Sequence, residues 1–120
     1  MKIIITSEGP GLTSQVDPRF GRAKHFVLFD TETGETSSHD NAQNLNAPQG
    51  AGIQAAQTVA QLRAEAVLTG HVGPKAFTTL QAANIAVYTG ATGTVNEAIE
   101  QYKNGQLQLA TKANVEGHWA

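Results

Sequence analysis

The chain has 120 residues, 40% hydrophobic and 15% charged, with a net charge of −2 when histidine is neutral. That is one domain's worth of globular chain, long enough to close a core without staples, and its weakly negative balance predicts no bulk attraction to nucleic acid or anionic lipid. Cysteine is absent and the only methionine is Met1, which excludes disulfides, a thiolate nucleophile and Cys-held zinc or iron–sulfur centres.

The start, MKIIITSEG, lacks the length and cleavage site of a signal peptide. No segment approaches the ~20 apolar residues of a membrane span. The expected location is the cytoplasm, with neither membrane nor nucleic acid as partner. KIIIT (2–6) is a compact β-branched run and predicts a buried first strand. SEGPGLTSQVDPRFGRA follows as a loop longer than most connections, and long loops in compact domains tend to carry function. HFVLFD (25–30) predicts a second strand, TETGE a turn, and TSSHD (36–40) a third strand that closes a hairpin. NAQNLNAPQGAG is a second polar loop, closed by Gly50 and Gly52. IQAAQTVAQLRA then puts Ile53, Ala56, Val59, Ala60 and Arg63 at helical spacing. EAVLTG predicts a short apolar strand. In GPKAFTTLQAAN, Pro74 stands at the first helical position, where its missing N–H costs nothing, and Ala76, Phe77 and Leu80 share a face. IAVYTG is another short strand. TVNEAIEQYKNG opens with Thr94 and has Glu97 three residues on, a capping-box pattern. Val95, Ala98, Ile99 and Tyr102 continue at i, i+3, i+4 and i+7, and Gly105 stops the helix. QLQLATKANVEGHWA is a tail with room for a short strand at 106–110.

The order β-β-β-α-β-α-β-α offers a hairpin first and then strand–helix alternation, which implies parallel strands joined by right-handed crossovers. The expectation is an α/β fold with a mixed five-stranded sheet and flanking helices. One domain would span 1–105, followed by a C-terminal tail over 106–120. A weak internal echo, AEAVLTGHVGPKA against ANIAVYTGATGTVNEA, repeats the plan strand, Thr-Gly, Gly, helix. Turns after parallel strands open at the carboxyl ends of those strands, where α/β sheets bind ligands.

Three helix starts would meet at that edge. They are Gly50/Gly52, then Gly73/Pro74/Lys75 preceded by Gly70, His71 and Val72, and lastly Gly93/Thr94. Each exposes unpaired N–H groups and the positive end of a helix dipole, and glycine lets a ligand approach the backbone. Together they predict an anion cradle, although any one alone is ordinary punctuation of an α/β chain. The first loop adds charge. DPRFGRAKH holds Arg19, Arg22, Lys24 and His25 within seven positions. Guanidinium forks suit multidentate anions and lysine supplies a point charge. Phe20, beside Gly21, is expected to give an apolar wall, with Val72 and Pro74 as further lining. The bland alternative is a solvated loop in which Asp17 pairs with Arg19 or Arg22. Among His25, His39, His71 and His118 no two stand at the i, i+4 spacing of a helical metal site. With no cysteine to ligate, His71 and then His25 are the candidates for direct metal contact.

Enzyme signatures are missing. There is no GxxxxGK[ST] loop, no GxGxxG and no GxSxG elbow. A two-metal nuclease or phosphatase needs clustered carboxylates, whereas the relevant strand ends carry Thr6, Ser7, Thr69 and Gly70. The expectation is a binding protein, not an enzyme.

Three stretches, DPRFGRAKHFVLFD, GAGIQAAQTVAQLRAEAVLTGHVGPKAFTTLQAANIAVYTG and GTVNEAIEQY, resemble the dinitrogenase iron–molybdenum cofactor biosynthesis domains, from residue 2 to about residue 105. Within that family the chain looks like the stand-alone members of the orange protein group, which are similar in length and in cysteine poverty. The resemblance implies a ribonuclease-H-like fold and a carrier or scaffold for metal–sulfur clusters. It implies an iron–molybdenum cofactor precursor for the nitrogenase-related members, and a non-covalently held molybdenum–copper sulfide cluster for the orange proteins. It also implies a protein donor or acceptor of the cluster. Many members carry His-Phe-Gly-Arg in the first loop; here Arg19-Phe20-Gly21-Arg22 puts a cation where a ligand histidine would stand. That favours gripping a complete anion, with Arg19, Arg22, Lys24, Lys75 and the helix starts as donors. Two rivals stand beside this reading: a cofactor-free interaction module working through the loop and the GHW tail, and a metal-dependent nuclease or phosphatase.

Overall fold

The structure, a computed structural model, describes residues 1–41 and 51–113. In chain order the elements are β1 (Lys2–Ser7), β2 (His25–Asp30), β3 (Thr36–Asp40), α1 (Ala51–Gln61), β4 (Ala66–Leu68), α2 (Pro74–Ala82), β5 (Ala86–Thr89), α3 (Val95–Lys103) and β6 (Gln108–Leu109). The strands form one mixed sheet in the order β3-β2-β1-β4-β5-β6. β1 runs parallel to β4, and β4 to β5, while β1–β2, β2–β3 and β5–β6 are antiparallel. The mixed α/β sheet is the one expected from the element order, and the arrangement is the ribonuclease-H-like fold that the family resemblance implies. Among the described residues no helix is long and apolar enough to cross a membrane.

The β-branched run of β1 is apolar at every position because both of its faces are covered. Ile4 joins Val67 and Val87 beneath Ala55, Ala56 and Val59 of α1 and Ala76, Phe77 and Leu80 of α2. Ile3 and Ile5 turn the other way, with Ala66 and Leu68, onto Val95, Ala98 and Ile99 of α3. Period-two alternation thus assigns each isoleucine to one of two cores. The helix ends follow local chemistry. The capping box of α3 forms in full: Glu97 N–H donates to Thr94 Oγ1 at 3.2 Å and Thr94 N–H donates to Glu97 Oε1 at 2.9 Å. Arg63 takes a left-handed φ of 61° just beyond α1, so it ends that helix instead of extending its apolar face.

A sixth strand extends the five expected. Thr89 pairs with Gln108 and Tyr88 with Leu109, and Ala110 N–H donates to Val87 O at 2.8 Å. It covers what would be an open edge of β5. It lies within the 106–110 stretch where the tail has room for a short strand, and at two residues, both exposed, it shows no alternation that would assign it to the sheet. Ala110 and Ala113 pack against the α1–α2 core and Leu107 against the α3 core. His118 and Trp119 lie outside the described residues.

The functional consequence is one crowded edge. β1, β4 and β5 all point their carboxyl ends to it, and β2 starts there, with His25 opposite Ser7. The loop 8–24 therefore leaves from that edge and returns to it.

Candidate functional site

The first loop is bound to the edge almost as if it were another strand. Glu8 N–H donates to Gln15 O at 2.9 Å, Asp17 N–H to Thr6 O at 2.9 Å and Val16 N–H to Gly93 O at 2.8 Å. Further on, Arg19 forms a parallel bridge with His71. His71 N–H donates to Pro18 O at 2.7 Å and accepts, through its carbonyl, from Phe20 N–H at 3.2 Å. The basic loop and the LTGHVGPKAF turn are thereby one surface. Gly70 makes this possible: a Cβ there would lie 2.9 Å from both Pro18 Cα and Pro18 O. Its missing side chain serves the approach of the loop, not of a ligand.

Residues that sequence reasoning passed over hold the loop from below. Thr6 Oγ1 lies 2.7 Å from Asp17 O and 2.8 Å from Thr69 Oγ1, all buried. A hydroxyl has one proton, so Thr6 donates to the carbonyl and accepts from Thr69. At the far end, buried Asn41 donates from Nδ2 to Ala23 O at 2.7 Å and Gly21 O at 3.4 Å, while its N–H donates to Lys24 O at 2.9 Å. The available signal was slight: a hydroxyl residue at the end of each of two apolar runs, and an asparagine directly after a strand.

Asp17 carries the electrostatics. Its side chain is 4% exposed, yet Oδ1 accepts Arg19 N–H at 3.1 Å and sits 3.7 Å from Arg19 Nε. Burial pushes its carboxyl above the ordinary aspartate value. The Arg19 N–H and guanidinium and the Lys24 N–H pull the other way, and Glu8 adds to the rise. The bland expectation that Asp17 pairs with Arg19 thus holds, and the same pairing fixes the backbone of Arg19 beside His71. Lys24 is exposed and Arg22 half-buried on the run into β2. His25 alternates with Phe26 and so points to the α3 side of the sheet. Its Nδ1 is buried with no hydrogen-bond partner among the described residues.

The three helix starts differ. Among the described residues α2 begins open: Gly73 is its extended N-cap (φ −83°, ψ 171°) with no side-chain cap, Pro74 has no N–H, and the first turn holds no acid. Pro74 and Lys75 are exposed there. With Ile53 of α1 and Thr78 and Thr79 they line a groove of about 420 Å³. Gly52 is buried in the first turn of α1, which also lacks an acid; Gly50 lies outside the described residues.

α3, by contrast, is closed, which corrects the expectation for Gly93 and Thr94. Val95 N–H donates to Ser14 O and Asn96 N–H to Leu12 O, each at 2.9 Å, and the capping box uses the N–H groups of Thr94 and Glu97. Gly93 sits at φ +80°, where a Cβ would meet Glu97 Oε1 at 2.6 Å. The carbonyls of the loop and a carboxylate already take the donors, and the carboxylate repels an anion.

Phe20 and Val72 also need correcting as lining. Both are fully buried, and Phe20 stacks on Phe26 with ring centroids 6.0 Å apart in the α1–α2 core. A full-size aromatic next to Gly21, itself buried, is worth more inside than on a wet wall. They shape the floor from beneath; Pro74 is the lining residue left at the surface. Among the described residues no group of three or more His, Asp or Glu is placed to hold a metal ion. The cationic side chains at this edge are Arg19, Arg22 and Lys24 of the loop and Lys75 of α2.

The family model described as dinitrogenase iron-molybdenum cofactor matches residues 1–105. The chain belongs to the dinitrogenase iron–molybdenum cofactor family. Among solved structures, this family domain is similar to the apo form of the orange protein from Desulfovibrio gigas. The identity is 46%, the TM-score 0.92, and the match covers 95% of this chain and 96% of that one. It is also similar to a NifB-like protein from Thermotoga solved by NMR, at 35% identity and a TM-score of 0.84, covering 97% and 98% of the two chains. An uncharacterised protein of Methanocaldococcus jannaschii is 28% identical over 97 residues, 79% of this chain and 82% of that protein. The dinitrogenase-cofactor match takes in both the basic loop and the β4–α2 turn.

Proposed function

We propose that the protein binds and carries a preassembled anionic metal–sulfide cluster that contains molybdenum, a molybdenum–copper sulfide cluster in the first instance. It does so without a bond from the polypeptide's own sulfur and without catalysing a reaction. Family membership supports the coarser role of binding a metal cluster or cofactor, and the likeness to the orange protein points to the finer one. One observation carries the reading: the Arg19–His71 bridge sets a cationic loop against a turn that leads into an uncapped helix start.

The chemistry fits the donors present. Sulfide ligands are diffuse, weakly hydrated acceptors, so burying them costs less than burying phosphate oxygens. Arg19, Arg22, Lys24 and Lys75 supply charge, the open start of α2 supplies the positive end of a dipole, and Pro74 gives an apolar contact. Each charge-assisted hydrogen bond contributes about 1.5–3 kcal/mol, so retention needs several acting together. His71 is held by its backbone at the centre of this surface and is the side chain best set to touch the cluster directly. The cargo would pass from a protein donor to a protein acceptor in the cytoplasm.

The test is reconstitution without air. Tetrathiomolybdate and copper are added to the protein, which is desalted by gel filtration and analysed for visible absorption and metal content. A coloured species co-eluting with the protein is expected. Arg19→Ala and Lys75→Ala should each weaken retention roughly 10-fold or more, the loss of one charge-assisted bond. Metal found only in the low-mass fraction, or full retention in both variants, would sink the reading.

A further inference from the structure

Asp17 is a buried carboxylate on the loop that carries Arg19, Arg22 and Lys24, and the grip described above does not use it. It is anchored independently of any ligand: its N–H donates to Thr6 O, its carbonyl accepts from Thr6 Oγ1, and its Oδ1 accepts the N–H of Arg19. The contact with the Arg19 guanidinium is looser, 3.7 Å from Nε to Oδ1, beyond hydrogen-bond range. Arg19 is 44% exposed at its side chain against 4% for Asp17. The guanidinium is therefore free to swing toward a ligand while the carboxylate stays where it is. Among the described residues, the charged groups that act on its carboxyl are all on its own loop: Arg19 through its N–H and guanidinium, Glu8 through its charge and Lys24 through its N–H. On the elements against the loop, the nearest titratable residues are His71, whose backbone pairs with Arg19, and Glu97, which caps the α3 start beside Gly93.

We propose that Asp17 is a positioning residue for Arg19, and that binding of a polyanion at the loop is coupled to uptake of a proton by the Asp17 carboxylate. The inference rests on the anion-binding reading above. While Asp17 is ionised it holds part of the charge of Arg19. A polyanion draws the guanidinium away and leaves a buried carboxylate beside a second negative charge, which costs free energy unless the carboxylate is neutralised. The proton comes from the buffer and ends on a carboxylate oxygen; no other bond is made or broken. Burial already pushes this carboxyl above the ordinary aspartate value, and the anion acts in the same direction. In the window between its values in the free and bound protein the complex holds more protons than the free protein. Affinity therefore rises as pH falls, by at most about 10-fold per pH unit, and levels off outside that window.

Anaerobic calorimetry on the full chain tests this, with tetrathiomolybdate and copper(I) as the probe. Titrations run from weakly acid to weakly alkaline pH, in pairs of buffers that differ in ionisation enthalpy. Wild type should take up a fraction of a proton per bound anion, declining as pH rises. Asp17→Asn keeps an oxygen acceptor for Arg19 N–H; it should bind several-fold more tightly at the alkaline end, take up no proton and show a flat pH profile. Glu8→Gln, which removes the other carboxylate acting on Asp17, should keep the uptake. Uptake unchanged in Asp17→Asn, or lost in Glu8→Gln instead, overturns the assignment. Binding by wild type with no uptake at any pH overturns the coupling and leaves the anion site standing, whereas no binding by either wild type or Asp17→Asn overturns both. Should Asp17→Asn not fold, carboxyl carbon NMR of wild type decides: the Asp17 titration midpoint should move up when the probe is added, and an unmoved midpoint refutes the coupling.

Discussion

At Gly70 the loop backbone comes so near the β4–α2 turn that one methyl group has no room. Gly70→Ala should therefore push Pro18 and Arg19 off the edge, at an overpacking cost of roughly 1–3 kcal/mol. Thermal unfolding reads that as a Tm lower by several degrees, together with weaker cluster retention. An unchanged Tm would mean that the loop is not seated as described. Asp17 makes a second prediction at this scale. Because its carboxyl lies above the ordinary value in the folded protein, the native state binds protons more readily than the unfolded chain in the interval between the two values. Wild-type stability therefore falls as pH rises through that interval, and the contribution is absent in Asp17→Asn. The Tm of Asp17→Asn minus that of wild type should grow from acid toward neutral pH; a difference that shrinks would reverse the sign assigned to the burial of Asp17.

Among the elements, α2 and α3 begin with similar sequences, Gly-Pro-Lys and Gly-Thr-Val, and end up with opposite uses. Thr94→Ala should cost about 1 kcal/mol through the lost cap, measured by denaturant unfolding, and leave cluster retention unchanged because the α3 start is already filled. Lys75→Gln should do the reverse, weakening retention with little change in stability. Retention lost in Thr94→Ala but kept in Lys75→Gln would interchange the two starts. The distinction also marks where the sequence stops being legible. The capping box of α3 depends on residues three apart and was readable, as were the bounds of β2 and β3. The closure of α3 depends on Leu12 and Ser14, about eighty residues earlier in the chain, whose carbonyls no local pattern ties to Val95 and Asn96. Phe20 misled for a related reason: in a stretch dense with Arg and Lys an aromatic reads as a surface wall, and only the position of the loop over the α1–α2 core turns it inward onto Phe26. The Arg19–His71 pairing was legible only as a shared edge, because β4 and the first loop both lead to it; the contact itself is tertiary.

For the molecule as a whole, a net charge of −2 coexists with a locally basic rim, since three of the eight Lys and Arg residues stand in one loop and Lys75 lies in the first turn of α2 at the same carboxyl edge of the sheet. On the proposed function, attraction to an anion is a short-range property of that rim. Retention should weaken as salt is raised toward and beyond the range where the Debye length is about 8 Å, while the Tm of the apo-protein, set by two largely apolar cores, should change little. Retention insensitive to salt would point to direct ligation instead. Amide chemical-shift mapping on the labelled protein, with and without tetrathiomolybdate and copper, tests the central claim most directly. Shifts concentrated in Arg19–Lys24 and His71–Ala76, with Thr94–Glu97 unmoved, are expected; shifts centred on α3, or spread without focus over the surface, would contradict a grip built from the basic loop and the open start of α2.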